Sequence, residues 1–360
     1  MFKPAFQITP AMTMALMAIE ADRQAVASLP IDVTVLASLR ASARLLSTHY
    51  STRIEGNRLT EAQVEQALAG TRFPGRERDE SEVRNYYAAV EHVEKLAAVN
   101  DPFTESNIQT LHGLVHEGRP APTPYRDGQN VIRDSGSGAI VYLPPEAHDV
   151  PALMHALIHW IRVNVAGRSL PVPLIAACAH YQYATIHPYD DGNGRTARLL
   201  TTLILQHQAY GLKGIYSLEE YYARDLEGYY RALSLGPSHN YYMGRAETDI
   251  TPFLAYFLGG MADAFSKVRI KAGDAAKRGA ADHSSLLREL DPKQRRVLEL
   301  FRRQGSATTA EIAKELGLSP RSARPLCAAW VHAGFLSVRD PSRRNRLFRL
   351  APRWEAVVTS

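Results

Sequence analysis

Between His187 and Arg198 the chain reads His-Pro-Tyr-Asp-Asp-Gly-Asn-Gly-Arg-Thr-Ala-Arg. A histidine that is neutral near pH 7 can take a proton from an incoming hydroxyl. Asp191, just before the turn, is placed to hold a divalent cation, and magnesium accepts a single carboxylate together with waters. The amides around Gly192, Asn193 and Gly194 open a helix, where successive N–H groups converge on an anion, and glycine lets a phosphate approach closely. Arg195 and Arg198, three residues apart on that helix, can both face the anion and stabilise charge as it moves. A base, a metal site and fixed positive charge are the parts of phosphoryl or nucleotidyl transfer. Zinc chemistry is disfavoured, because His180 and His187 lack a third protein ligand.

The elements that must hold these groups are helical. An apolar run from Pro173 to Ile186 delivers His187, and another from Thr196 to about Gln206 follows the turn. His180, two turns before His187, reads as a packing or orienting histidine. Upstream, helical spacing is expected over Pro10 to Ala25, Asp32 to Thr48, Ser81 to Val99 and Glu105 to Glu117, the last capped by Thr104. Gly56 and Asn57 stop the second helix, and Thr60 with Gln63 forms a capping box for the next. Glu55 then sits at a helix C-terminus, where a carboxylate is electrostatically misplaced, so it calls for an arginine from elsewhere. From Pro120 to Pro145 the pattern changes to two short extended runs, near Val131 and over Ala139 to Leu143, around a Ser-Gly-Ser-Gly turn. This predicts a β-hairpin protruding from a helical body. Helices over Val150 to Val165 and from Thr251 complete that body. The tyrosines at 183, 189, 221, 222, 229, 230, 241 and 242 are expected mostly as packing residues.

The net charge of +5 is unevenly spread: residues 291–360 hold 14 Lys and Arg against 6 Asp and Glu, which leaves 28 against 31 in the rest. Only the last fifth is therefore suited to nucleic acid. There, helices over Asp291 to Gly305, from Thr308 to Leu316, and from Pro320 to Ala333 precede a hairpin that starts at Phe335 and turns at Asp340 to Asn345. This order resembles a winged helix-turn-helix, an α module with a small β wing. It would turn Arg321, Ser322 and Arg324 to a duplex groove and Arg343, Arg344 and Arg346 to phosphates. Pro325 is a candidate kink in the recognition helix. No run has membrane-spanning length, the N-terminus lacks a signal-peptide pattern, and Cys178 and Cys327 lie in apolar runs without metal spacing. A cytoplasmic location, with no membrane partner, is the expectation.

The His187 to Arg198 stretch resembles the signature of the Fic domain family, with Tyr189 standing where phenylalanine is commonest. The resemblance implies an all-α Fic fold with a small β-hairpin flap, and AMP transfer from ATP to a Tyr, Thr or Ser hydroxyl of a target protein. On that likeness His187 is the general base, Asp191 holds Mg2+, Asn193 and the Gly192 and Gly194 amides bind phosphate, and Arg195 clamps the distal phosphates. The target would dock on the flap at 131–143 by strand addition. Ser51-Thr52-Arg53-Ile54-Glu55-Gly56 resembles the family's inhibitory motif, with Ser51, Glu55 and Gly56 as its elements. Glu55 would pair with Arg198 and hold ATP in an unproductive pose. The alternatives are AMP removal at the same site and a DNA-binding regulator with a Fic sensor. Relatives are often dimers, so the resemblance admits a homodimer, and DNA through 319–349 is the other partner considered. The expected domains are a helical region with the inhibitory motif at 1–100, the catalytic core at 101–262, a linker helix at 263–290 and the winged module at 291–360.

Overall fold

The computed structural model describes residues 2–133, 138–277, 290–340 and 346–359. They fall into two units, one ending at Ala276 and the other beginning at Lys277. The first unit is built on α1 (Pro10–Ser28), α2 (Val33–Ile54), α3 (Glu61–Leu68), α4 (Glu77–Leu96) and α5 (Glu105–Glu117). A two-stranded hairpin follows, β1 (Ile132–Arg133) antiparallel to β2 (Ile140–Tyr142), as its alternating, turn-flanked sequence predicts. Then come α6 (Val150–Gly167), α7 (Val172–Ile186), α8 (Asn193–His207), the short α9 (Glu219–Arg224) and α10 (Leu226–Leu233), and the long α11 (Thr251–Lys277).

Local chemistry explains the ends. Thr9, Asp32, Thr60 and Thr104 each accept a backbone N–H at a helix start, and Thr60 and Gln63 close the predicted capping box. Helix α4 begins a turn before the expected Ser81, because Glu77, Asp79 and Glu80 place three carboxylates at the positive end of its dipole. Helices α7 and α8 pack against each other at the centre, and nearly every side chain of α7 is buried. Around them lie Tyr86, Leu111, Leu157, Phe253 and Phe265. The last turns of α2 bury Ser47, Thr48, Ser51 and Thr52 as well as Ile54, so this helix turns a largely polar face inward. The linker expected to start at 263 differs: α11 continues unbroken to Lys277, and Ala264, Phe265, Val268 and Ala272 are buried in this core. Its apolar spacing makes residues 263–272 part of the body. The remainder of that linker, from 278 to 289, lies outside the described residues.

The second unit comprises α12 (Pro292–Gln304), β3 (Ala307–Thr308), α13 (Thr309–Leu316), α14 (Pro320–His332), β4 (Leu336–Asp340), β5 (Leu347–Leu350) and α15 (Pro352–Thr359). Its antiparallel sheet has the order β3-β5-β4, and Val297, Phe301, Ile312, Trp330, Phe335 and Phe348 form its core. Ser319 caps α14 with Pro320 in the first turn, and the helix runs on through Pro325 as one span. Arg321, Ser322 and Arg324 are exposed on it, as is Arg346 beside β5, while Arg343 and Arg344 lie outside the described residues. The turns of both hairpins, at 134–137 and 341–345, also lie outside them. The all-α body with a small hairpin and the α module with a β wing match the expected fold class.

Candidate active site

Helix α7 ends where His187 turns left-handed, at φ 52° and ψ 60°, while its N–H still donates to the Tyr183 carbonyl at 3.0 Å. A non-glycine residue takes that conformation only when its surroundings hold it there. Arg126 supplies much of the hold. Its backbone N–H donates to the Pro188 carbonyl at 3.0 Å, its Nε to the His187 carbonyl at 3.0 Å, its Nη1 to the Gly128 carbonyl at 2.9 Å, and its Nη2 to the Pro145 carbonyl. One buried guanidinium thus ties the histidine to both ends of the flap. The His187 ring is half-buried, and burial holds its pKa down to about 4, with the Arg126 charge acting in the same direction. It is therefore a neutral imidazole at pH 7, able to accept a proton.

The loop that follows is fixed by Asn193. Its Oδ1 accepts from the Tyr189 N–H at 3.0 Å and its Nδ2 donates to the Tyr189 carbonyl at 2.7 Å. Asn193 was expected among the phosphate ligands, and here the structure differs: the buried side-chain amide is committed to Tyr189 and shapes the loop, leaving anion binding to backbone N–H groups. Asn130 Nδ2 also reaches the Tyr189 carbonyl, at 3.0 Å. The Tyr189 ring lies flat on His112, with centroids 3.5 Å apart and planes 3° from parallel. His112, held neutral by burial with a pKa of about 4, has Nε2 2.9 Å from the Asp191 carbonyl and Nδ1 2.7 Å from the Thr123 hydroxyl. A carbonyl only accepts, so Nε2 carries the proton and Nδ1 accepts from Thr123. Gly192 sits at φ 76°, where a Cβ would come within 3.2 Å of the His112 ring. Both strain and space therefore require glycine there.

Helix α8 starts at Asn193, one turn earlier than expected, because left-handed Gly192 ends the loop abruptly. Asp191 remains half-exposed; one carboxylate oxygen accepts from the Gly192 N–H at 2.6 Å and from Arg195 Nη2 at 3.1 Å, and these positive partners hold its pKa below the usual value against the opposing effect of burial. Among the described residues no three His, Cys, Asp or Glu side chains cluster as a metal cage. A lone hard carboxylate such as Asp191 could hold magnesium, which keeps most of its waters.

The arginines are both closed in. Arg195 is buried between Asp191 and Glu82, the latter at 4.0 Å. Arg198 is fully buried; its Nε donates to Ser51 Oγ at 2.8 Å, and its Nη2 donates to the Ser51 carbonyl at 3.0 Å and to Glu55 Oε1 at 2.8 Å. Arg198 Nη1 and Arg195 Nε are buried without an acceptor. Glu55 is the C-cap of α2, followed by Gly56 at φ 92°. A Cβ on Gly194 would lie 2.4 Å from Glu55 Oε1, so this carboxylate rests on the first turn of α8, where the backbone is open to an anion. Sequence reasoning singled out His187, Asp191 to Gly194, Arg195, Arg198, Ser51 and Glu55, and the fold gathers them in one place. It missed Arg126, His112 and Glu82. A usable signal for His112 was its place on the apolar stripe of α5 with Ile108, Leu111 and Val115.

Residues 102–205 match the Fic/DOC family, and residues 290–324 match a winged helix-turn-helix DNA-binding family. The protein adenylyltransferase Fic of Drosophila virilis is 28% identical over 200 residues, covering 54% of this chain and 39% of that protein. Its namesake from Aedes aegypti is 30% identical over 194 residues, covering 52% and 37%. The chain thus matches well under half the length of these relatives. A Fic family protein from Desulfovibrio desulfuricans G20 has the same fold, with a TM-score of 0.59 at 24% identity, covering 98% of this chain and 99% of its own. Motif, fold and matches agree: residues 102–205 of this chain carry a Fic/DOC domain, and a winged helix-turn-helix match follows it in the sequence at residues 290–324.

Proposed function

We propose that the chain is a protein adenylyltransferase restrained by its own Glu55. The reading is carried by one arrangement: a neutral histidine, an anion nest and two arginines within a single helix–turn–helix, with a carboxylate from α2 seated on the second arginine. In the forward reaction a hydroxyl oxygen of the target bonds to the α-phosphorus of ATP, the bond to the β-phosphate oxygen breaks, and pyrophosphate leaves. His187 takes the hydroxyl proton. The backbone amides at the head of α8, with Arg195 and Arg198, hold the departing phosphates. Asp191 would hold magnesium, which neutralises phosphate charge when bound. An extended target segment would pair along the exposed flap, adding a strand beside β1 and β2. While Glu55 occupies Arg198, the terminal phosphate cannot, and a displacement of about 1 Å suffices to lower an in-line transfer roughly 100-fold.

Two observations support alternatives. The Glu55 carboxylate rests on the first turn of α8 beside Arg198, from where it could orient a water for AMP removal. The exposed Arg321 and Arg324 of α14, within or next to the matched module, fit duplex binding. The deciding experiment uses ATP labelled at the α-phosphate with wild type, Glu55→Gly and Glu55→Gly/His187→Ala. Label bound as AMP, strongest in Glu55→Gly and absent without His187, is expected. Silence in all three, together with AMP release from a modified target, would replace transfer by hydrolysis. Retention of duplex DNA that is lost on Arg321→Ala would assign the second unit.

A further inference from the structure

Helix α2 carries one polar stripe. Ser47, Ser51 and Glu55 recur every fourth residue, so they share a face, and each meets an ionisable side chain from elsewhere. Ser51 and Glu55 hold Arg198: Ser51 Oγ accepts from its Nε at 2.8 Å and Glu55 Oε1 from its Nη2 at 2.8 Å. Ser47, two turns before Glu55, meets an acid instead, donating its hydroxyl proton to Glu219 Oε2 at 3.0 Å. Glu219 opens α9 and is only 4% exposed. Ser217 donates to the same oxygen at 2.9 Å, and the wholly buried Tyr86 of α4 donates to Oε1 at 3.3 Å. Among the described residues no lysine or arginine pairs with this carboxylate, so three hydroxyls from three separate segments hold it. The same α9–α10 stretch reaches α2 again at the far end of the stripe, where the Tyr230 hydroxyl donates to the Ile54 carbonyl at 3.3 Å.

We propose that Glu219 is a positioning residue that sets the roll of α2 and so keeps Glu55 on Arg198. The inference rests on Glu55 restraining the transfer, as proposed above. Apart from Ile54, the last turns of α2 bury short polar side chains, which give apolar packing little grip on rotation about the helix axis. Directional hydrogen bonds must supply that grip. Side-chain atoms lie about 5–6 Å from the axis, so a roll of about 10° displaces them by about 1 Å. Such a displacement takes the 2.8 Å contact of Glu55 with Arg198 beyond hydrogen-bond range, and the Ser47 bond to Glu219 with it. The two contacts therefore hold or fail together. The hydrogen bonds of Glu219 reach none of His187, Asp191, Arg195 or Arg198, so it acts only through the helix it anchors.

The test uses the full chain and two readouts, with Ser47→Ala and Glu219→Gln each placed in the wild-type and in the Glu55→Gly background. Loss of one buried hydrogen bond shifts an equilibrium about fivefold. With ATP labelled at the α-phosphate, AMP labelling is expected to rise about fivefold in the wild-type background and to stay level beside Glu55→Gly, where no carboxylate is left to position. A residue that only supports the fold would alter both backgrounds alike; that result, or no change in either, would overturn the proposal. Hydrogen exchange at the Ser51 to Glu55 amides is expected to quicken about fivefold in both single variants, while the amides of α7 keep their protection. Unchanged exchange there would overturn the anchor whatever the labelling shows. If Glu55→Gly transfers no AMP, the transferase reading fails separately, and exchange alone decides whether Glu219 holds α2. Should Glu219→Gln fold poorly, Ser47→Ala, which removes a single oxygen, carries both measurements.

Discussion

Removing the Glu55 carboxylate should make the free protein weaker and its nucleotide complex stronger. Arg198 is buried and has three acceptor contacts, two from Ser51 and one from Glu55 at 2.8 Å. Breaking a buried pair costs roughly 3–5 kcal/mol, yet the Glu55 side chain retains 26% of its exposure, so water can partly take its place and about 1–3 kcal/mol is the better expectation. For a unit of this size each kcal/mol moves Tm by about 2–4 °C, so Glu55→Gly should melt several degrees lower. The same contact opposes the terminal phosphate. A charged hydrogen bond contributes about 1.5–3 kcal/mol, so its loss should tighten magnesium-ATP roughly ten- to hundredfold. Thermal melting with and without magnesium-ATP reads both terms in one assay: the variant starts below wild type and, at saturating nucleotide, gains more. Glu55→Gln, which keeps an acceptor but loses the charge, should fall between them. Equal affinity and equal turnover in wild type and Glu55→Gly would refute the reasoning, because the carboxylate would then be a surface group resting against an arginine.

Asn193→Ala should abolish the two bonds that close the loop on Tyr189, lowering stability by about 2–3 kcal/mol in urea titrations and reducing label transfer in the Glu55→Gly background at least roughly 100-fold. Gly192→Ala places an L-residue at φ 76° against His112 and should cost about 1–2 kcal/mol in the same titration. His112 and His180 are neutral in the fold at pKa values of about 4 and about 3 but titrate near 6.5 when unfolded, so below that value the unfolded chain binds more protons. Stability should therefore fall as pH drops from 6.5 toward 4, by about 1.4 kcal/mol per pH unit for each ring, and urea midpoints at pH 7, 6 and 5 measure it. Turnover of Glu55→Gly should stay level down to about pH 5, because His187 remains a base until about 4; an acid limb near 6.5 would contradict its burial.

The parts of the fold readable from sequence were those written in local chemistry. The capping box at Thr60 and Gln63, the threonine cap of α5 and the proline after Ser319 each satisfy backbone groups within four residues. So does the dense loop from His187 to Arg198, whose residue types carry their chemistry with them. Glu55 was legible for a different reason: a carboxylate at a helix C-terminus is unfavourable and calls for a distant partner. What sequence did not reveal depends on contacts made far along the chain. Arg126, 61 residues before His187, looks like any loop arginine until the carbonyls of His187, Gly128 and Pro145 are seen to need gathering. Asn193 reads as a ligand because its amide could serve phosphate, and only the folded loop shows that Tyr189 has claimed it. Strand β3 and helix α15 were missed as well: two residues of strand exist through pairing with β5, and α15 follows from Trp354 packing in the second core.

The left-handed end of α7 has a further consequence. His187 has little side-chain anchoring, since its Nδ1 lies 3.4 Å from the Ala184 carbonyl, while its backbone N–H closes the helix at 3.0 Å on Tyr183. The direction of the base is therefore set through its backbone, by the last hydrogen bond of a helix together with the Arg126 bond to its carbonyl. Fraying of that one turn would swing the imidazole aside without unfolding anything else. Hydrogen exchange at the His187 amide then becomes a gauge of competence, and on warming, activity should decline with the protection of that single amide, well before the global transition.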